Sequence, residues 1–193
     1  MLGKDELLNL LEQREIPFFC EEHDSVLNMA DSEKLTLSLE GARCKNLLLQ
    51  DKKGRYFLVV TTATKSLDLS AVAEALGSKR LSFASADKLF ELLGIRTGSL
   101  SPLALVNDDA RCVRLVIDSG LARESTFLFH PLESNASVSL SRAALDDFLA
   151  SVDHPADWLD LAGFATNSLS AATRATLPVP DMSADAPRIR DEV

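Results

Sequence analysis

Three short islands set reactive or unusually permissive groups against apolar sequence: Lys45-Asn46-Leu47, Gly98-Ser99-Leu100-Ser101-Pro102 and Phe129-His130-Pro131. Lys45 opens an apolar run, where a cation can meet a phosphate or a carbonyl oxygen at the end of a sheet; it can equally be a solvated lysine like Lys52 and Lys53. The Asn46 amide can orient a backbone or a substrate, or simply begin a strand. Gly98 permits close approach of backbone to a ligand, and Pro102 stiffens the exit of the loop. Amides in such a loop can face a carbonyl oxygen that gains charge during hydrolysis, and Ser99 and Ser101 add hydroxyls. Ser101 is not read as a nucleophile, because no Gly-x-Ser-x-Gly elbow surrounds it and no ordered acid partner is identifiable. His130 ends an apolar strand, where an imidazole can stack on a base or donate a hydrogen bond, or be satisfied at the edge of the core. The islands lie roughly 30 to 55 residues apart, so only a fold can gather them.

The elements that must do so are legible from periodicity. Residues 2–15 carry Leu7, Leu8, Leu10 and Leu11 at helical spacing, and Ile16-Pro17 ends that helix. Residues 18–20 read as a short strand, and 31–39 as helix or irregular structure. Residues 46–50 and 56–61 form a hairpin around a Lys-Lys-Gly-Arg turn. A helix begins at Asp68-Leu69-Ser70 and stops at Gly77. Residues 81–84 read as a strand, and Ser85 caps a helix over 86–93 that ends at Gly94. Residues 103–106 and 113–117 read as strands flanking a turn at 107–110. Strands follow at 127–129 and 136–140, and Ser141 caps a helix over 142–151. The mixture predicts an α+β domain with a mixed, largely antiparallel and partly curled sheet flanked by helices. After Gly163 the sequence turns to Ala, Ser, Thr, Pro and Asp. This predicts one domain over 1–163 and a mobile tail over 164–193.

Composition narrows the function. The 193 residues are 46% hydrophobic, enough for a substantial core, and no apolar run is long enough to span a bilayer. The start shows no secretory pattern, so a cytoplasmic location is expected. Cys20, Cys44 and Cys112 are odd in number and widely spaced, which fits neither a disulfide framework nor a zinc pattern; no metal and no cofactor are expected. The net charge of −9 is unevenly spread: residues 1–39 carry −6, 40–130 carry +3 and 131–193 carry −6. A broad duplex-binding surface or a DNA partner does not fit such a chain, whereas a small site for one RNA end does.

Taken jointly, the islands resemble the YbaK-type aminoacyl-tRNA editing domains, freestanding relatives of the editing insertion of bacterial prolyl-tRNA synthetase. The resemblance runs over roughly residues 2 to 163. It includes the strings Gly54-Arg55-Tyr56-Phe57-Leu58-Val59-Val60, Lys79-Arg80-Leu81-Ser82-Phe83-Ala84-Ser85, Leu92-Leu93-Gly94 and His130-Pro131-Leu132 followed by Asn135. It implies hydrolysis of the ester joining a wrong amino acid to transfer RNA, with water as the attacking group and without a side-chain nucleophile. Lys45 then matches the central functional residue, Gly98 the glycine of the aminoacyl pocket, and His130 the group beside the terminal adenosine. Asn46, Ser99, Ser101, Pro102, Met29 and Leu103 are the further residues expected to bind substrate; Phe19, Val26 and Leu27 are candidate walls that would reject proline by size. The implied partner is the acceptor end of a proline transfer RNA, with prolyl-tRNA synthetase as a second candidate. Alanine is the expected leaving amino acid and cysteine the nearest alternative; a binding module that keeps the fold without turnover is the alternative of another class. The chain departs from the family pattern in three places. It has His23-Asp24-Ser25-Val26-Leu27-Asn28 where a His-Pro-Pro-Val-Phe-Thr-like string is common. It has Leu103 where many have Phe, and Asn135-Ala136 where many have Asn-Thr. These positions bear on which amino acid is accepted.

Overall fold

The computed structural model describes residues 1–25 and 36–165. Helix α1 (Lys4–Gln13) buries Leu7 and Leu11, and the Glu6 carboxylate accepts from the Gly3 N–H at its start. Strand β1 (Phe19–Glu22) follows. The hairpin joins β2 (Ala42–Asp51) to β3 (Tyr56–Thr62). Its turn is organised by Asp51, which accepts from the N–H groups of Lys53 and Arg55, from Arg55 Nε and from Ser78 Oγ. Gly54 takes the left-handed φ of +78° that this turn requires. Strand β4 (Lys65–Leu67) leads to α2 (Leu69–Ala75), capped by the Asp68 carboxylate. Strand β5 (Leu81–Phe83) precedes α3 (Ala86–Leu93), whose N-cap is Ser85 and whose C-terminus closes on Gly94. The remainder comprises a 3₁₀ segment (Pro102–Asn107), β6 (Val113–Asp118), a second 3₁₀ turn (Ser119–Leu121), β7 (Thr126–Phe129), β8 (Ala136–Ser141), α4 (Arg142–Ser151), β9 (Ala156–Leu159) and β10 (Gly163–Ala165).

The main sheet runs β1-β8-β7-β2-β3-β6-β9, with β5 joined to β2 off that path; β4 and β10 form a separate ribbon. Antiparallel contacts join β1 to β8, β8 to β7, β2 to β3 and β2 to β5, and parallel ones join β2 to β7, β3 to β6 and β6 to β9. The sheet is therefore mixed, with antiparallel pairing ahead, and it stays open. Its two faces serve two cores. Leu48, Leu58, Val60, Leu115 and Ile117 point one way, toward α1, α3 and α4. Leu49, Phe57, Val59 and Val116 point the other way, toward Val72, Ala73 and Leu76 of α2. Alternation along each strand assigns every neighbour to one face or the other.

Two expectations change. Residues 103–106 lie in a 3₁₀ segment, not a strand: Pro102 suits a helical first position, the Ala104 N–H bonds to the Ser101 carbonyl, and a short apolar run does not by itself distinguish strand from buried helix. Consequently β6 does not return as a hairpin but lies parallel to β3. The short strands β4, β9 and β10 had no signal of their own; β10 pairs with β4 from Gly163 to Ala165.

Candidate active site

Strand β2 is the element around which the site is built. One edge pairs with β3 along nearly its whole length. The other edge is shared: β7 pairs with it at Ala42 and Arg43, and β5 at Leu49, Gln50 and Asp51, with one more bond from the Ala84 N–H to the Leu48 carbonyl. Among the described residues no strand pairs with residues 44–47 on that edge. The island Lys45-Asn46-Leu47 sits in this gap. An unpaired length of backbone inside a sheet leaves N–H and C=O groups open to a ligand.

Lys45 is half-buried and shares the α2-side face with Leu47 and Leu49. Its ammonium donates to the carbonyl oxygen of Lys65 at 3.0 Å. The Lys65 side chain turns back to Asp118, Nζ to Oδ2 at 2.9 Å. Asp118 Oδ2 also accepts from Thr61 Oγ1 at 2.5 Å, and Oδ1 accepts from the Gly120 N–H at 3.0 Å. Thr61 is the residue directly opposite Lys45 in the β2–β3 ladder. Asp118 and Thr61 are fully buried. Burial opposes ionisation of Asp118, but hydrogen bonds from Thr61, Lys65 and Gly120 outweigh it and hold the carboxyl below its ordinary range. A fixed anion thus anchors the segment whose carbonyl holds Lys45.

His130 lies just past the end of β7, where that strand leaves β2. Its Nδ1 donates to the Ala136 carbonyl at 2.7 Å, so the neutral ring carries its proton there and leaves Nε2 as an acceptor. Burial pushes its pKa below the usual histidine value; the bond to Ala136 opposes this, and neighbouring His23 and Arg43 reinforce it. The His23 ring meets His130 edge-on at 5.8 Å between centroids and bonds through Nε2 to Ser137 Oγ at 2.9 Å.

The glycine loop is tied to this group. Ser101 Oγ donates to the His130 carbonyl at 2.8 Å. Gly98 has φ +95°, a conformation side chains rarely adopt. Ser99 and Pro102 are buried, and Ser101 and Leu103 are fully enclosed. Ser101 and Leu103 therefore lie behind the surface of the site: Ser101 spends its proton holding the loop to His130, and Leu103 packs in the core on the α1 side. Asn46 points to that same side, between Cys44 and Leu48, and its Oδ1 is a buried acceptor without a partner among the described residues; Asn135 Oδ1, next to Ala136, is another. Such atoms mark places where a ligand donor has something to satisfy.

The structure thus ties the Gly98 loop to His130 and sets Lys45 and Asn46 together on the open stretch of β2. Phe19 does not join them: it is 73% exposed on β1, the outermost strand on its side. Met29, Val26 and Leu27 lie outside the described residues. The residues that sequence reading missed are Thr61, Lys65 and Asp118; His23 entered only as the head of a string that departs from the family pattern. Asp118 had a usable signal, an acid ending the apolar run 113–117; Lys65 had none, since its role lies in a backbone carbonyl. Among the described residues no group of three or more His, Cys, Asp or Glu side chains could hold a metal, and no helix is long and apolar enough to cross a membrane.

Comparison with known proteins places this arrangement. Residues 23–148 match the model of the aminoacyl-tRNA editing domain, a span containing Lys45, Gly98 and His130. The chain is 34% identical over 147 residues to the prolyl-tRNA editing protein ProX of Acetoanaerobium sticklandii, covering 76% of this chain and 90% of that one. It is 33% identical over 153 residues to the prolyl-tRNA synthetase associated domain-containing protein 1 of Danio rerio, covering 78% and 83%. A solved structure described as a candidate trans-editing enzyme for prolyl tRNA synthetase superposes with a TM-score of 0.64 at 18% identity, covering 83% of this chain and 98% of that one; at that identity the likeness speaks for the fold. A family model covering residues 23–148 and relatives at 33–34% identity over most of both chains agree: the chain belongs to the aminoacyl-tRNA editing domain family, whose chemistry is hydrolysis of the aminoacyl ester.

Proposed function

We propose that this deacylase clears proline transfer RNA charged with a smaller amino acid, alanine first. The support is the open edge of β2. Lys45 stands there with one ammonium hydrogen on the Lys65 carbonyl, and among the described residues the other two are left for a ligand. They can meet the terminal phosphate or the ester carbonyl oxygen of the substrate. His130 Nε2 can accept from the terminal nucleoside, and amides of the Gly98 loop can face the oxygen that becomes negative. Water adds to the ester carbonyl carbon, the bond from that carbon to the ribose oxygen breaks, and the ribose oxygen takes up a proton. The products are the free amino acid and uncharged transfer RNA. An aminoacyl ester is already activated, so positioning and charge stabilisation suffice, and no covalent intermediate is called for. The names of the relatives above supply the proline transfer RNA. Association with prolyl-tRNA synthetase is a further proposal on the same ground.

The test is single-turnover release of alanine, cysteine and serine from charged proline transfer RNA. Alanine is expected to leave fastest and proline to stay. Faster release of cysteine reassigns the substrate, and binding of all species without release replaces the enzyme by a binding module.

A further inference from the structure

Phe83 is 59% exposed, and a lone exposed phenyl ring is in itself ordinary. Its position is not. It stands on β5 directly opposite Leu49 of β2, and facing residues of paired strands share a face. Lys45, Leu47 and Leu49 lie on that face by alternation, so Lys45 and Phe83 look out on the same side. Four residues of strand separate them along β2, about 13 Å. Leu49 and Leu81, the neighbours of Phe83 on this face, are buried under α2 with Val72, Ala73 and Leu76; the ring of Phe83 stands beyond that cover.

The charge around it is equally uneven. Beyond Phe83, Lys79 and Arg80 lead into β5, and Lys52 and Lys53 occupy the β2–β3 turn. The Asp51↔Leu81 pairing brings these two segments together. All four cations are exposed. None of them forms an ion pair among the described residues, whereas the nearby Arg55, Lys88, Arg111 and Arg114 are paired to Asp51, Glu91, Asp153 and Asp157. In a chain of net charge −9, this is a local basic end reached from Lys45 by way of an exposed aromatic ring.

We propose that Phe83 is a stacking platform for an unpaired base of the RNA strand that leads to the terminal nucleotide. The surface from Lys45 past Leu47 and Phe83 to the four free cations is then a track for single-stranded RNA, with its 3′ end at Lys45. Aromatic rings accept any base face, and cations follow the phosphates. The occupant is a single strand, because a ring beside an open sheet edge offers a platform to an unstacked base and nothing to a closed pair. The inference rests on the editing reading and names how that site holds its RNA.

The experiment measures binding of an uncharged RNA hairpin with a 3′ single-stranded CCA end, using wild type, Phe83→Ala, Phe83→Leu and Phe83→Tyr. Loss of one stack predicts about tenfold weaker binding for Ala and Leu, with Tyr close to wild type. Equal affinity of wild type and Phe83→Ala overturns the proposal. So does an equal loss with a blunt-ended hairpin, since the single strand is then not what Phe83 holds. A change of oligomeric state in Phe83→Ala, read by analytical ultracentrifugation, makes a second copy the occupant and also overturns it. Because the RNA is uncharged, failure to hydrolyse any ester sinks the editing reading without deciding this one.

Discussion

The ammonium of Lys45 is held 3.0 Å from the carbonyl oxygen of Lys65, so the site's half-buried cation is positioned by backbone rather than by a carboxylate. Its charge is aimed without being neutralised. Replacing Lys45 by alanine is therefore expected to slow single-turnover deacylation by about a hundredfold or more, the scale of losing one transition-state donor, with little change in melting temperature. Lys45→Arg should not rescue, because a planar fork cannot reproduce a compact point charge. A near-normal rate for Lys45→Ala would remove this residue from the mechanism.

Asp118 acts one step further back. It ties Lys65 and Thr61 to the end of β6, and β10 pairs with Lys65 from the other side. Asp118→Asn leaves the Lys65 ammonium without its counter-charge, and since Lys65 is partly exposed the cost is screened to about 1–3 kcal/mol. Urea unfolding should show that shift, and Lys65→Met in the same chain should recover part of it. Wild-type stability in Asp118→Asn would show that the network carries no weight.

The backbone of Gly98 sits at φ +95°. An alanine there is strained by about 1–2 kcal/mol, and the loop relaxes by moving the amides away from the substrate. Gly98→Ala is expected to lower the deacylation rate more than it lowers substrate affinity. Unchanged kinetics at reduced stability would confine Gly98 to a folding role.

The lowered pKa of His130 has a sign that can be checked. Burial makes the charged ring costly in the folded state, so the folded protein binds this proton less readily than the unfolded chain. The stability this group contributes is present above the ordinary histidine value of 6.5 and is lost as pH falls below it. His130→Gln should flatten that part of the stability–pH curve, measured by urea unfolding at stepped pH. An equally steep decline in the variant would place the titrating group elsewhere.

What the sequence determined by itself was local. Asp68, Ser85 and Ser141 announced helix starts because a short side-chain oxygen caps the amides that follow, and Gly54 announced the hairpin. The island at Lys45 was legible because a polar pair opens an apolar run. Tertiary structure alone decided that β5 and β7 share one edge of β2 and leave residues 44–47 between them, since pairing partners are chosen by packing across long loops. It decided that Leu103 lies in a 3₁₀ turn behind the site. It also decided that Lys45 answers to a carbonyl and, through it, to Asp118, because every residue carries a carbonyl and only the fold determines which one meets a given side chain.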